Sequence, residues 1–155
     1  YYAERPSSAL YEQAWAGGDV VQYTGHTYIG SGGPIDARNY TASDFPSRYQ
    51  LFMANSCVSF SFYNNSFFDL HPGGTRNLET VTNGLSVYLK GSGLSSARFV
   101  NGLIDGRGQS YAALLASMRV DLPWATAYDA NRVVDGEMDN VYTPSTYTLS
   151  LTTAR

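Results

Sequence analysis

Two apolar runs decide the reading of this chain: "VVQYTGH", residues 20–26, and "YQLFMANSC", residues 49–57. Each has the β-branched or aromatic content of a buried strand, and each stops on a side chain with catalytic chemistry, His26 and Cys57. The second run is apolar on both alternating faces, as in a strand covered by helices on two sides, and that favours parallel pairing. Consecutive parallel strands joined by a crossover are usually neighbours, about 4.8 Å apart. In open parallel sheets, catalytic groups collect beyond the carboxyl ends of the strands. The two runs therefore predict an imidazole and a thiol side by side at one sheet edge.

The flanking sequence supports a layered α/β protein. "SSALYEQAWAG" (7–17) spaces Leu10, Tyr11, Ala14 and Trp15 as on a helix, with Ser7 or Ser8 as N-cap and Gly17-Gly18 as the stop. A polar, Gly-rich connection follows His26, with a helical turn expected at "TASDF" (41–45). After Cys57, "VSFSFYNNSFFDLHPGGTRN" (58–77) reads as an aromatic segment passing into a Gly-rich loop. Phe60, Phe62, Tyr63, Phe67 and Phe68 are expected to pack on the sheet, and the alternation in "VSFSFY" would turn one face toward the cleft. "LETVTNG" (78–84) is a third strand. "GLSSARFVNGLIDG" (93–106) predicts a helix with Leu94, Ala97, Phe99, Val100, Leu103 and Ile104 on its apolar face. "QSYAALLASMRV" (109–120) predicts another with Tyr111, Leu114, Leu115 and Met118. Alternating strands and helices predict a three-layer α-β-α sandwich around a mostly parallel sheet. Residues 121–155 read as an irregular tail with a late edge strand at "TYTLSLT" (146–152). With no internal repeat or linker, residues 1–155 form a single domain.

Composition narrows the function. A net charge of −3 gives no basic excess for nucleic acid, and no apolar run reaches the length of a membrane span. Charged residues are 15% of the chain against about 25% on average, and Lys90 is its one lysine. A surface of hydroxyls and amides favours a secreted or extracytoplasmic protein, with a cytoplasmic one as the alternative. A single cysteine excludes an internal disulfide, so Cys57 is either a small buried hydrophobe or a reactive thiol. The sequons at Asn39 and Asn64 arise often by chance.

A thiol nucleophile needs a partner that removes its proton and later protonates the leaving group, and His26 is placed to do both. Asp36, Asp44 and Asp69 are loop acids that could orient His26 or receive a basic substrate side chain, and the sequence does not choose among them. His71 in "DLHPGG" reads as a surface histidine beside a turn, with a place in the cleft as the alternative. "DGEMD" has carboxylates at Asp135, Glu137 and Asp139 but lacks a full calcium-loop pattern, so a solvated turn is favoured. "HPGGTRN" lacks the lysine of a phosphate loop. No metal or cofactor is called for.

"YTGHT" after one strand and "LFMANSC" after the next, with histidine and cysteine 31 residues apart, resemble the caspase-like superfamily of cysteine peptidases. That superfamily includes caspases, metacaspases, legumain, separase, clostripain and the gingipains. The resemblance covers residues 18–60 and implies a cysteine endopeptidase that cleaves peptide bonds of a protein or peptide substrate through a thioester. It implies Cys57 as nucleophile, His26 as base and acid, and backbone N–H groups at Cys57 and beside His26 as oxyanion donors. Gly25, Thr27 and Ser56 would then line the oxyanion site and cleft. Thr27 stands where the superfamily usually has glycine, and a β-branched residue would be strained there if φ were positive. Only about 20 residues precede the histidine strand, where the superfamily has two further strands and a helix. The expected arrangement is thus a C-terminal chain whose sheet is completed by a second chain of the same precursor or by an upstream segment. The alternative is a catalytically inactive caspase-like module with a binding or structural role in a secreted or surface assembly. A third possibility is an α/β hydrolase acting on a non-peptide acyl bond.

Overall fold

The structure, a computed structural model, describes residues 8–105, 110–122, 125–128 and 131–139. Its main sheet has four strands. β1 (Val20–Thr24), β2 (Gln50–Asn55) and β3 (Leu78–Asn83) run parallel, with Thr24 opposite Asn55 and Gln50 opposite Leu78. β6 (Arg132–Asp135) pairs antiparallel with β3, Asn83 facing Arg132. Every residue of β2 and β3 is buried, as the unbroken apolar pattern of β2 predicts.

Alternation along β2 divides the interior into two cores. Phe52 and Ala54 face one side, where they meet Trp15, Tyr63 and Phe67. Leu51 and Met53 face the other, with Phe99, Leu114 and Met118. The first core belongs to α1 (Ser8–Gly17) and α2 (Ser59–Leu70), the second to α3 (Leu89–Asp105) and α4 (Tyr111–Ser117). Helices thus cover both faces of a mostly parallel sheet. Trp15 anchors the first core, its ring 4.8 Å from Phe52, 4.9 Å from Phe67 and 5.0 Å from Phe45 between centroids. Such tilted and edge contacts add to the area each ring buries. At the amino edge of the sheet, Gln50 donates through Nε2 to the carbonyls of Trp15 (2.7 Å) and Gly18 (2.5 Å), tying the end of α1 to the start of β2.

Four sequence expectations change. Residues 59–70 are helical rather than a loop with strand-like alternation. Ser59, Tyr63 and Phe67, each four apart, form the buried line of α2, and packing of that line overrides the β preference of aromatics. The apolar face assigned to α3 is largely outside: Leu94 is 49%, Val100 40% and Ile104 59% exposed. The helix starts at Leu89 and buries Ser92, Ser95 and Ser96 with Phe99, because Asn55 donates to the Ser92 carbonyl (3.0 Å) and the Ser96 hydroxyl (2.8 Å). Hydrogen bonding rather than apolarity orients this helix. His71 is neither on the surface nor in the cleft. It is 3% exposed at the amino edge, between Gln50 Oε1 (3.1 Å) and the Pro72 carbonyl (3.1 Å), and burial holds its pKa below the ordinary histidine value. Finally, the tail supplies structure: β4 (Val120–Leu122) and β5 (Ala125–Tyr128) form a hairpin, and β6 extends the main sheet. The edge strand expected at 146–152 lies outside the described residues.

The turn at 41–45 is present as a 3-10 turn, Ala42–Asp44, closed by a capping box between Thr41 and Asp44. "DGEMD" does not gather its acids. Asp135 accepts from Asn64, Asp139 accepts from Thr75 (3.0 Å), and no metal-holding cluster occurs among the described residues. Among the described residues no helix is long and apolar enough to cross a membrane.

Candidate active site

His26 and Cys57 each lie two residues beyond the register pair Thr24–Asn55, at the carboxyl edge of adjacent parallel strands. The ladder reaches one step past β1, where the Gly25 N–H donates to the Asn55 carbonyl at 3.4 Å. Beyond that step the chain turns away. Thr27 adopts φ −74°, ψ −24°, so the strain expected at this position is absent from it and falls instead on Tyr28 and Ile29, both at φ 52°. His26 is exposed, its ring edge-on to Tyr28 at 6.1 Å between centroids.

Cys57 lies on a strand–turn–helix elbow. The next residue, Val58, is left-handed at φ 51°, ψ 33°, and donates its N–H to the Leu85 carbonyl at 3.0 Å. A β-branched residue in that region is an outlier, and such outliers cluster at functional sites. Ser59 opens α2 directly behind it, so the positive end of the helix dipole lies close to any thiolate at Cys57. The thiol is half-buried against Val87, accepting from its N–H (3.4 Å) and donating to its carbonyl (3.6 Å). No hydrogen bond joins Cys57 to His26 among the described residues. The backbone N–H of Cys57 likewise has no acceptor there, which leaves it available to an oxyanion.

The carboxyl edge is braced by polar groups. Asn83 donates to Asn55 Oδ1 (3.1 Å) and to the Ser56 carbonyl (3.2 Å), and its own N–H reaches Ser59 Oγ (2.8 Å). Ser59 Oγ in turn donates to Ala54 (2.7 Å). Thr24 and Ser96 share a hydrogen bond of 2.6 Å between hydroxyls. Ser56 is fully buried below the elbow, and its hydroxyl has no partner among the described residues. A cavity of about 10 Å³ lies beyond Val87, lined by Tyr88, Ser92, Ser95, Val120 and Arg132.

None of the three candidate acids touches His26. Asp36 is 4% exposed and is gripped by Arg38 through Nε (3.0 Å) and Nη2 (2.7 Å) and by the Gly32 N–H (2.7 Å); Arg38 holds its carboxyl well below the usual carboxylate range. Asp44 caps the 3-10 turn through the Thr41 N–H (2.7 Å). Asp69 is exposed in the last turn of α2, not in a loop, at the end remote from Cys57. The brace rests on Asn55 and Asn83, two residues with no catalytic chemistry of their own. Their signal in the sequence is that "MAN" and "VTN" close two successive strands on the same amide.

The fold and this edge define an α/β protein with a cysteine and a histidine on adjacent strand ends. No protein-family model, no curated protein and no solved structure matches the chain.

Proposed function

We propose that this chain carries a Cys57/His26 hydrolytic dyad of caspase-like layout and acts as a cysteine endopeptidase. The observation that supports it is the register: both residues stand two positions beyond the paired Thr24 and Asn55, with a left-handed residue and a helix start behind the cysteine. In this reading His26 swings over the thiol and takes its proton, and the thiolate attacks the peptide carbonyl. The oxyanion is met by the Cys57 N–H, and the imidazolium returns its proton to the departing amine. Water, deprotonated by the same imidazole, then hydrolyses the thioester. The proposal includes secretion and a second polypeptide segment along β1, one of the two outer strands of the sheet among the described residues.

The second reading, a binding module without catalysis, draws on the engagement of the thiol by Val87 rather than by His26. A panel of fluorogenic peptides, thioesters and esters, with alkylation of Cys57 by iodoacetamide, separates these readings. The peptidase predicts peptide cleavage abolished by Cys57→Ala and alkylation slowed by His26→Ala. Cleavage that survives Cys57→Ala, or alkylation no faster than that of a free thiol, would sink it. Turnover of esters but not peptides would assign the site to a non-peptide acyl hydrolase.

A further inference from the structure

We infer that Thr27 and Tyr63 are positioning residues for the Cys57/His26 pair, an inference that rests on the dyad reading above. Past the Gly25–Asn55 hydrogen bond the sheet offers no ladder partners; the Thr27 carbonyl accepts from the Gly30 N–H (3.1 Å), and the carbonyls of residues 26 and 57 have no backbone donor among the described residues. Three hydroxyls reach these carbonyls, as the sole donors to residues 26 and 57 and as a second donor to residue 27. Tyr23 donates to the His26 carbonyl (2.7 Å), Tyr63 donates to the Thr27 carbonyl, and Thr27 donates through Oγ1 to the Cys57 carbonyl.

The Thr27 hydrogen bond is the only one among the described residues that links the loop after β1 to the turn after β2. It grips the carbonyl of the nucleophile residue itself. Fixing that carbonyl fixes the Cys57–Val58 peptide plane, and with it the direction in which the Cys57 side chain leaves the backbone. Tyr63, 1% exposed on α2, holds the other side of Thr27, so the helix that starts behind Cys57 also locates the histidine loop. Both tyrosines are buried donors; burial pushes the Tyr63 hydroxyl up to about 12 and raises that of Tyr23 as well. Gly25 belongs to the same construction, since a Cβ there would lie 2.5 Å from the Tyr23 hydroxyl oxygen. Threonine at position 27 therefore has a use that glycine would lack.

The test compares wild type, Thr27→Val, Thr27→Ser, Tyr63→Phe and His26→Ala. The readouts are the rate of Cys57 alkylation by iodoacetamide from about pH 5 to 9, and kcat and KM on the best-cleaved peptide of the panel. Thr27→Val keeps the shape and removes the hydroxyl. It is expected to lower kcat and the His26-dependent part of alkylation about 10- to 100-fold, with KM changed less than about twofold. Thr27→Ser restores both, and Tyr63→Phe gives a smaller loss of the same kind. A Thr27→Val protein that is folded, less stable and unchanged in alkylation rate and pH profile would overturn the inference, as would a Thr27→Ser protein as slow as the valine variant. If His26→Ala leaves wild-type alkylation unaltered, the dyad itself fails and the positioning role falls with it. If wild type shows His26 dependence that survives Thr27→Val, the positioning role alone fails.

Discussion

Replacing Val58 by glycine and, separately, by alanine isolates the cost of the backbone turn behind Cys57. Both variants lose the two γ-methyl groups, so they differ only in Cβ and in backbone freedom. At an ordinary position glycine is the less stable by roughly 0.5–1 kcal/mol, because it gives up more freedom on folding. At φ 51°, ψ 33° alanine still bears the left-handed cost of about 1–2 kcal/mol, and glycine bears none. The ranking should therefore reverse, with Val58→Gly more stable than Val58→Ala by about 0.5–1 kcal/mol. For a chain of 155 residues that difference is about 2–3 °C in Tm. Urea titration would show it as a higher midpoint at unchanged slope. An alanine variant equal to or more stable than the glycine variant would refute the left-handed turn, and with it the elbow that presents Cys57.

Two further perturbations test the frame around the site. Because burial depresses the His71 pKa, the unfolded chain takes up its proton first as pH falls below the ordinary histidine value of about 6.5. The His71 contribution is thus fully present above that pH and declines as pH drops through it. Urea midpoints measured from about pH 8 down to pH 5 should show that decline in wild type and a flatter profile in His71→Gln, and parallel profiles would count against a buried neutral His71. Gly136→Ala probes the docking of β6. Gly136 has φ 97°, and a Cβ would lie 2.4 Å from the Leu78 carbonyl oxygen, so about 2–4 kcal/mol of destabilisation is expected in thermal melts. A loss below about 0.5 kcal/mol would show that the turn after β6 is not packed as described.

What was legible in the sequence was whatever a short window determines. β1, β2 and β3 are dense apolar runs with clear stops, and a strand's side-chain alternation needs only a few residues to read. The placement of His26 and Cys57 at strand ends followed from those stops. The helix at 59–70 is masked because "VSFSFY" (58–63) alternates like a strand, and the spacing of four shows only once Tyr63 is paired with Phe67. The orientation of α3 was hidden for a different reason. Its serines are buried by hydrogen bonds to Asn55 and Thr24, partners 37 to 72 residues away, which no local pattern records. The same holds for Thr27, whose bond to Cys57 spans 30 residues. A histidine beside Pro72 and Gly73 reads as a surface turn residue, yet Gln50 reaches His71 from the start of β2.

The two halves of the candidate site hang from strands of unequal standing. β2 is hydrogen-bonded on both sides, whereas β1 has β2 alone as its partner among the described residues. Hydrogen exchange should therefore find the amides before Cys57 opening only with global unfolding, and those before His26 opening through cheaper local excursions. The thiol is then the fixed point of the pair and the imidazole the moving one. In the proposed dyad, the breathing of an outer strand would set how often the two meet, and anything that paired along β1 would slow that breathing.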